Sequence, residues 1–233
     1  MGRQIKTKLT TTKIEWYWGE NLKVSEFNKK IVYSESSGSC AVVDNRIKME
    51  LNEYGMYEEI VHADEDAELN PLVEYVSPNL NQRTNETEIA KKLYGRVCGI
   101  KFDERIGYYK SLYAGHVNEG DYRDKASSGG MGTWILKELF ESSLIDGVIH
   151  VKKNQDKSSP ILFHYDISRT LEGIKAGAKT KYYPVEFSQV LKIVKEVPGR
   201  YAIVGIPSFI MAVRLLAEKD DLIKERIKFT VGL

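Results

Sequence analysis

The chain has 233 residues, 42% of them hydrophobic and 29% charged, with a formal net charge of +1. That length supports one or two domains with a sizeable core, and the charge balance leaves no global field for nucleic acid or an anionic membrane. No apolar run approaches the roughly 20 residues that cross a bilayer. The polar, basic start over 1–12 lacks the apolar stretch of a secretory signal, so the expected location is cytoplasmic.

Residues 1–33 read as an N-terminal extension carrying Trp16, Tyr17 and Trp18 among polar residues, an aromatic patch suited to docking. Residues 34–84 are loop-rich, with a strand-like run at 46–51 and an acidic stretch, Asp64-Glu65-Asp66. The polar residues 78–85 predict a linker and a domain boundary. Over 85–233 helices and strands alternate. Glu86–Tyr94 is predicted helical, closing at Gly95. The run 108–117 alternates like a strand, 134–143 is a helix, and 147–151 and 161–166 are strands. Apolar residues at 187, 190, 191, 194 and 197 predict a helix stopped by Pro198-Gly199. A buried-type strand at 201–204, a helix at 209–217 and a final strand at 227–231 follow. This order predicts an α/β fold, a mixed sheet with covering helices. No internal repeat is apparent. A chain that stops directly after a buried strand reads as a fragment whose C-terminal part is missing.

The stretch from Arg123 to Thr133 is a basic, glycine-rich loop running into a helix. Small hydroxyls and glycines at such a turn let backbone N–H groups close on an anion, and the helix adds its free amides and positive dipole end. The loop has neither the GxGxxG spacing nor a GK[ST] ending. A helix start capped by Ser128 or Thr133, with no ligand, explains the same residues.

Lys125-Ala126-Ser127-Ser128-Gly129-Gly130 resembles the flavin-site loop of the coenzyme F-420 hydrogenase/dehydrogenase beta-subunit family. Three segments resemble that family in the same order: Thr180-Lys181-Tyr182-Tyr183-Pro184, Gly205-Ile206-Pro207-Ser208 and the terminal Thr230-Val231-Gly232-Leu233. Upstream, Ile47-Lys48-Met49 and Asn52-Glu53-Tyr54-Gly55 are similar to the family's N-terminal region. The resemblance runs from about residue 34 to the end. It implies FAD, iron–sulfur clusters, and electron passage between a redox partner subunit and a deazaflavin-type or similar small-molecule acceptor. The candidate cofactor-binding residues, from the loop's chemistry and the resemblance together, are Lys125, Ser127, Ser128, Gly129, Gly130, Met131, Thr133, Thr180, Lys181, Tyr182, Pro207 and Ser208. A lysine beside a flavin's pyrimidine edge would stabilise the charge that develops at N1, and a tyrosine could stack or hydrogen-bond. A basic surface loop (Lys175, Lys179, Lys181) is the plainer reading of the middle segment. The family's turn usually reads G-x-P-C, so Ser208 stands where a cysteine would be; it is expected to cap the following helix or to touch flavin.

The iron–sulfur part of the resemblance departs furthest. Bacterial ferredoxin clusters are held by C-x2-C-x2-C-x3-C-P. With Cys40 as the third cysteine, the other positions fall at Ser34, Ser37 and Asp44. A second run ending at Ser77-Pro78 places its others at Ala67, Asn70 and Val73. Only one of those eight positions is cysteine, and the chain has two cysteines in all, Cys40 and Cys98. Two are too few for a disulfide scaffold or a conventional four-iron cluster. Residues 34–84 are therefore expected to be a degenerate ferredoxin-like segment without a cluster. The four histidines (62, 116, 150, 164) have no ligand-pair spacing, so no metal site is expected. No triad or carboxylate pair suggests catalytic residues, which hydride transfer through flavin does not require. An interaction protein that kept the fold and lost the chemistry is the main rival; a nucleotide-binding transferase ranks behind it.

Overall fold

The computed structural model describes residues 22–233, so the aromatic patch at Trp16–Trp18 lies outside the described residues. The first elements are short: helix α1 (Val24–Lys30), a 3-10 turn (Ile31–Tyr33) and helix α2 (Ser39–Val43). Strands β1 (Ile47–Leu51) and β2 (Tyr57–Val61) form an antiparallel hairpin, and helix α3 (Leu72–Val76) follows. Leu22, Val24, Phe27, Cys40, Ile47, Leu69 and Val73 bury together as the core of this small unit. Each large apolar side chain so buried contributes about 1.5–3 kcal/mol.

Helix α4 (Glu86–Tyr94) starts at Asn85, whose side chain accepts the Glu88 amide. Strands β3 (Lys101–Asp103) and β4 (Gly107–Tyr109) form a second small hairpin. The strand predicted over 108–117 is realised only as β4, which ends at Tyr109. Beyond it Leu112 and Tyr113 are 67% and 90% exposed, so its apolar residues have no sheet to pack on.

The main sheet has four strands in the order β6-β5-β7-β8. Strand β5 (Gly147–Lys153) pairs antiparallel with β6 (Phe163–Ser168) and parallel with β7 (Tyr201–Gly205), and β7 pairs parallel with β8 (Ile227–Gly232). Alternate residues of the strands face opposite layers. Ile149, Tyr165 and Ile203 pack with helices α7 (Ser188–Glu196) and α8 (Pro207–Ala217) through Leu191, Phe209 and Leu216, and with Phe187 at the α7 N-cap. Val148 and Ala202 face helices α5 (Met131–Glu141) and α6 (Leu171–Ala176) through Leu136 and Ile174. The fold is the expected mixed sheet with covering helices. Helix α9 (Asp221–Arg226) escapes the periodicity because it is short, but Asp220 caps it by accepting the amides of Leu222 and Ile223. No helix among the described residues is long and apolar enough to cross a membrane.

Candidate functional site

Chain direction places three loops at one edge of the sheet. Helix α5 precedes strand β5, so it starts at the edge where the parallel strands end. Strand β6 returns antiparallel to the opposite edge, and α6 brings the chain back to begin the 177–187 segment beside the α5 start. Strand β7 then runs out at Gly205. Open α/β sheets leave their crevices outside the carboxyl ends of the strands, and contacts join the three loops there. The Thr180 amide donates to Ser127 Oγ at 3.0 Å, across 53 residues of sequence. The Leu233 amide donates to the Gly205 carbonyl at 3.1 Å, and the Leu233 side chain lies beside Gly132 at the head of α5.

The head of α5 is built around Gly130. Its φ is +81°, and an added Cβ would lie 2.7 Å from the Tyr122 carbonyl, so only glycine fits without strain. As the N-cap it offers no side-chain oxygen to Met131, Gly132 or Thr133, which leaves first-turn amides without a capping acceptor. Helix α5 thus begins three residues before its predicted start, and neither Ser128 nor Thr133 caps it. No hydrogen-bond partner occupies the Ser128 or Thr133 hydroxyl among the described residues. Gly129 approaches its own protein: its Cβ would meet the Gly115 carbonyl at 3.0 Å, and its carbonyl accepts the Val117 amide. Met131 is 41% exposed.

The charged members are already engaged. Lys125 Nζ sits 2.5 Å from Asp121, which raises the lysine's pKa and lowers the aspartate's. Lys181 Nζ donates to the carbonyls of Gly177, Ala178 and Lys179, and burial together with the nearby Lys179 charge lowers its pKa. Tyr182 is 95% exposed. Pro207 occupies the first position of α8 after the Ile206 cap, so Ser208 lies inside the helix and does not cap it. Arg214 on α8 donates to Thr230 Oγ1 at 2.9 Å, and Glu218 takes Lys92 and Tyr75. Among the described residues no His, Cys, Asp and Glu cluster could hold a metal ion.

Sequence reasoning overlooked Tyr122. It is buried at the base of the loop under the Lys175 ammonium, 5.1 Å from its ring centre, and its hydroxyl has no partner. Its position one residue before the basic loop is the only sequence signal it carries. Open amides, two unengaged hydroxyls and a glycine cradle suit the phosphates of a dinucleotide. The donor set at this edge therefore fits the phosphate portion of FAD.

Residues 112–192 match the family described as coenzyme F420 hydrogenase/dehydrogenase, beta subunit N-term. That stretch of the chain is similar to this family. The beta-subunit match takes in the 125–133 and 180–182 loops and ends within α7, before the turn at 205–208. No curated protein matches the chain. A chain of the F420-reducing NiFe hydrogenase complex from Methanosarcina barkeri, studied by xenon derivatization, is similar at 20% identity with a TM-score of 0.44. The similarity covers 50% of this chain and 41% of that one, so the chain spans less than half of that relative's length.

Proposed function

We propose that this chain is a flavin-binding redox subunit holding FAD at the sheet edge formed by the 125–133 loop, the 180–182 loop and the 205–208 turn. The Thr180–Ser127 hydrogen bond carries the reading, because it joins two loops the family resemblance assigns to one flavin site. Flavin, when bound, supplies hydride or electron transfer at its N5. The protein's part is binding and orientation. The α5 amides and dipole hold phosphate charge, and the Ser128 and Thr133 hydroxyls donate beside them. Ser127 is a positioning residue that sets the second loop. Lys181, fastened by three carbonyls, presents a fixed positive charge, and the exposed Tyr182 is free to cover a planar ring. The acceptor would be a deazaflavin-type or similar small molecule, and a redox partner subunit would exchange the electrons.

The engagement of Lys125 and Lys181 within the protein favours a second reading, an interaction protein that retains the fold. The absorption spectrum of the purified protein, before and after incubation with FAD, separates them. A flavin band that survives desalting supports the redox subunit. Its absence in both samples leaves the interaction protein.

A further inference from the structure

Helices α2 and α3 stand at equivalent places in the small unit, and the ferredoxin spacing falls on them identically. Its positions pair as 34 with 67, 37 with 70, 40 with 73 and 44 with 77, each pair 33 residues apart. In both halves the third position is the second residue of the helix (Cys40, Val73) and the fourth is its C-cap (Asp44, Ser77). The hairpin β1-β2 separates the halves, and α2 packs against α3. The chain therefore contains a structural repeat that its residue identities conceal.

In two-cluster ferredoxins the fourth cysteine of each run ligates the other cluster. That crossing would group 34, 37, 40 and 77 at one centre, and 67, 70, 73 and 44 at the other. The side-chain hydrogen bonds of Ser37, Ser77, Asp44 and Asn70 follow the crossed grouping, while Cys40 Sγ reaches across to the Val73 carbonyl. Ser37 Oγ and Ser77 Oγ both donate to the carboxylate of Glu35, at 2.8 and 3.2 Å, and Ser34 Oγ donates to Glu59 at 2.7 Å. At the second centre Asp44 accepts the Asn70 amide at 2.9 Å and the Arg46 guanidinium at 2.7 Å, while Asn70 Nδ2 donates to the Val43 carbonyl.

The residues present do not fit a cluster. Iron–sulfur centres take thiolates; here hydroxyls, a carboxylate, an amide and the alkyl groups of Ala67 and Val73 stand in seven of the eight positions. Burial and the charges of Glu59 and Glu35 push the Cys40 thiol's pKa up, and its Sγ faces the Val73 carbonyl at 3.8 Å.

We propose that residues 34–77 are a two-centre ferredoxin core in which each cluster position has been replaced by a polar network, Glu35 and Glu59 with three serines at one and Asp44, Arg46 and Asn70 at the other. The core carries no electrons and acts as a brace. Ser37 accepts the Phe187 amide at 2.9 Å, and Gly38, with φ +84°, backs onto Ser188 at the start of α7. The small unit thereby holds the segment that leads out of the 180–182 loop.

The test is restoration. The full chain with Ser34→Cys, Ser37→Cys and Ser77→Cys on native Cys40, with Glu35→Ala and Glu59→Val to clear the carboxylates, should take up about four irons per chain on anaerobic reconstitution. The parent should take up none. A set with Asp44→Cys in place of Ser77→Cys should also fail, because it leaves the crossed position empty. Equal iron in the crossed and uncrossed sets, a folded crossed variant that takes no iron, or iron in the parent would each overturn the proposal. If the crossed variant does not fold, Ser37→Cys with Ser77→Cys is titrated with Co2+ alone. A thiolate-to-cobalt absorption band is expected, and its absence overturns the proposal. Flavin content is read separately in every sample and does not bear on these outcomes.

Discussion

The polar residues at the ferredoxin-spaced positions of the small unit and those at the strand-end edge of the main sheet are treated in opposite ways. In the small unit, Ser34, Ser37, Asp44, Asn70 and Ser77 each find a protein partner. At the sheet edge the α5 cap carries no side-chain acceptor for the first-turn amides, and Tyr182 stands in solvent. An unmade hydrogen bond is tolerable where water or a ligand can make it and costly where the group is buried. On the proposed reading the interior ligand positions are refilled by protein partners, with buried Ser39 Oγ beside them left without one, whereas a surface cradle can leave its groups open. On the two proposals, the contrast separates a converted site from a candidate working one within one chain.

The most severe way to break the open site is at Gly130. Val there would place a β-branched residue at φ +81° with its Cβ against the Tyr122 carbonyl. Backbone strain and overpacking together should cost about 3 kcal/mol, read by urea denaturation, and flavin binding should disappear with the loop. A loss below about 1 kcal/mol would show that the loop relaxes freely and is no rigid cradle.

The refilled site makes a prediction of nearly the same size in pH. Burial pushes the Glu59 pKa from 4.5 to about 7, reinforced by Glu35 and Glu186, while the Ser34 hydrogen bond opposes it. The folded state thus holds this proton where the unfolded chain has released it. Its contribution is complete below pH 4.5 and is lost as pH rises through 7, a fall of about 3 kcal/mol for this group. Glu186, also raised by burial, adds a loss in the same direction. Denaturation at pH 5 and pH 8 should show the parent less stable at pH 8, with a smaller difference in Glu59→Gln. An identical slope in the variant would mean that Glu59 is solvated.

The same contrast explains what could be read in advance. Strands β5, β7 and β8 and helix α7 announced themselves because long apolar periods bury on a sheet. Helices α2 and α3 have five residues each, too few for a period, and the differing residues at their matched positions hide the proposed correspondence between them. The 125–133 loop was legible as a glycine-rich helix start and a candidate anion site, but its internal contacts were not. That Asp121 takes Lys125, that carbonyls take Lys181 and that Pro207 displaces Ser208 from the cap are tertiary choices with no fixed spacing. Gly129 shows the cost of stopping at composition, since its closeness to Gly115 makes any side chain there a structural change as well as a binding one.

Gly132 gives the cleaner probe of the cradle. An added Cβ would meet only the Leu233 side chain, at 3.8 Å. Gly132→Val should leave stability within about 1 kcal/mol while obstructing approach to the α5 amides. FAD affinity, followed by flavin fluorescence, should fall about tenfold or more, which corresponds to about 1.4 kcal/mol. Unchanged affinity would move the phosphate contact away from this helix.

The smallest effect is the most specific. Ser127→Ala removes the acceptor of the Thr180 amide, but both residues are exposed, so water can replace the bond. Stability should fall by no more than about 1 kcal/mol. Positioning is a different matter, because this hydrogen bond ties the second loop to the first. Amide exchange over residues 179–183 should quicken, FAD affinity should weaken severalfold, and Ser127→Thr, which keeps the hydroxyl, should restore both. A merely structural serine would shift stability without moving local exchange and affinity together. If neither moves in Ser127→Ala, the two loops are neighbours by topology alone, and the flavin site does not depend on their junction.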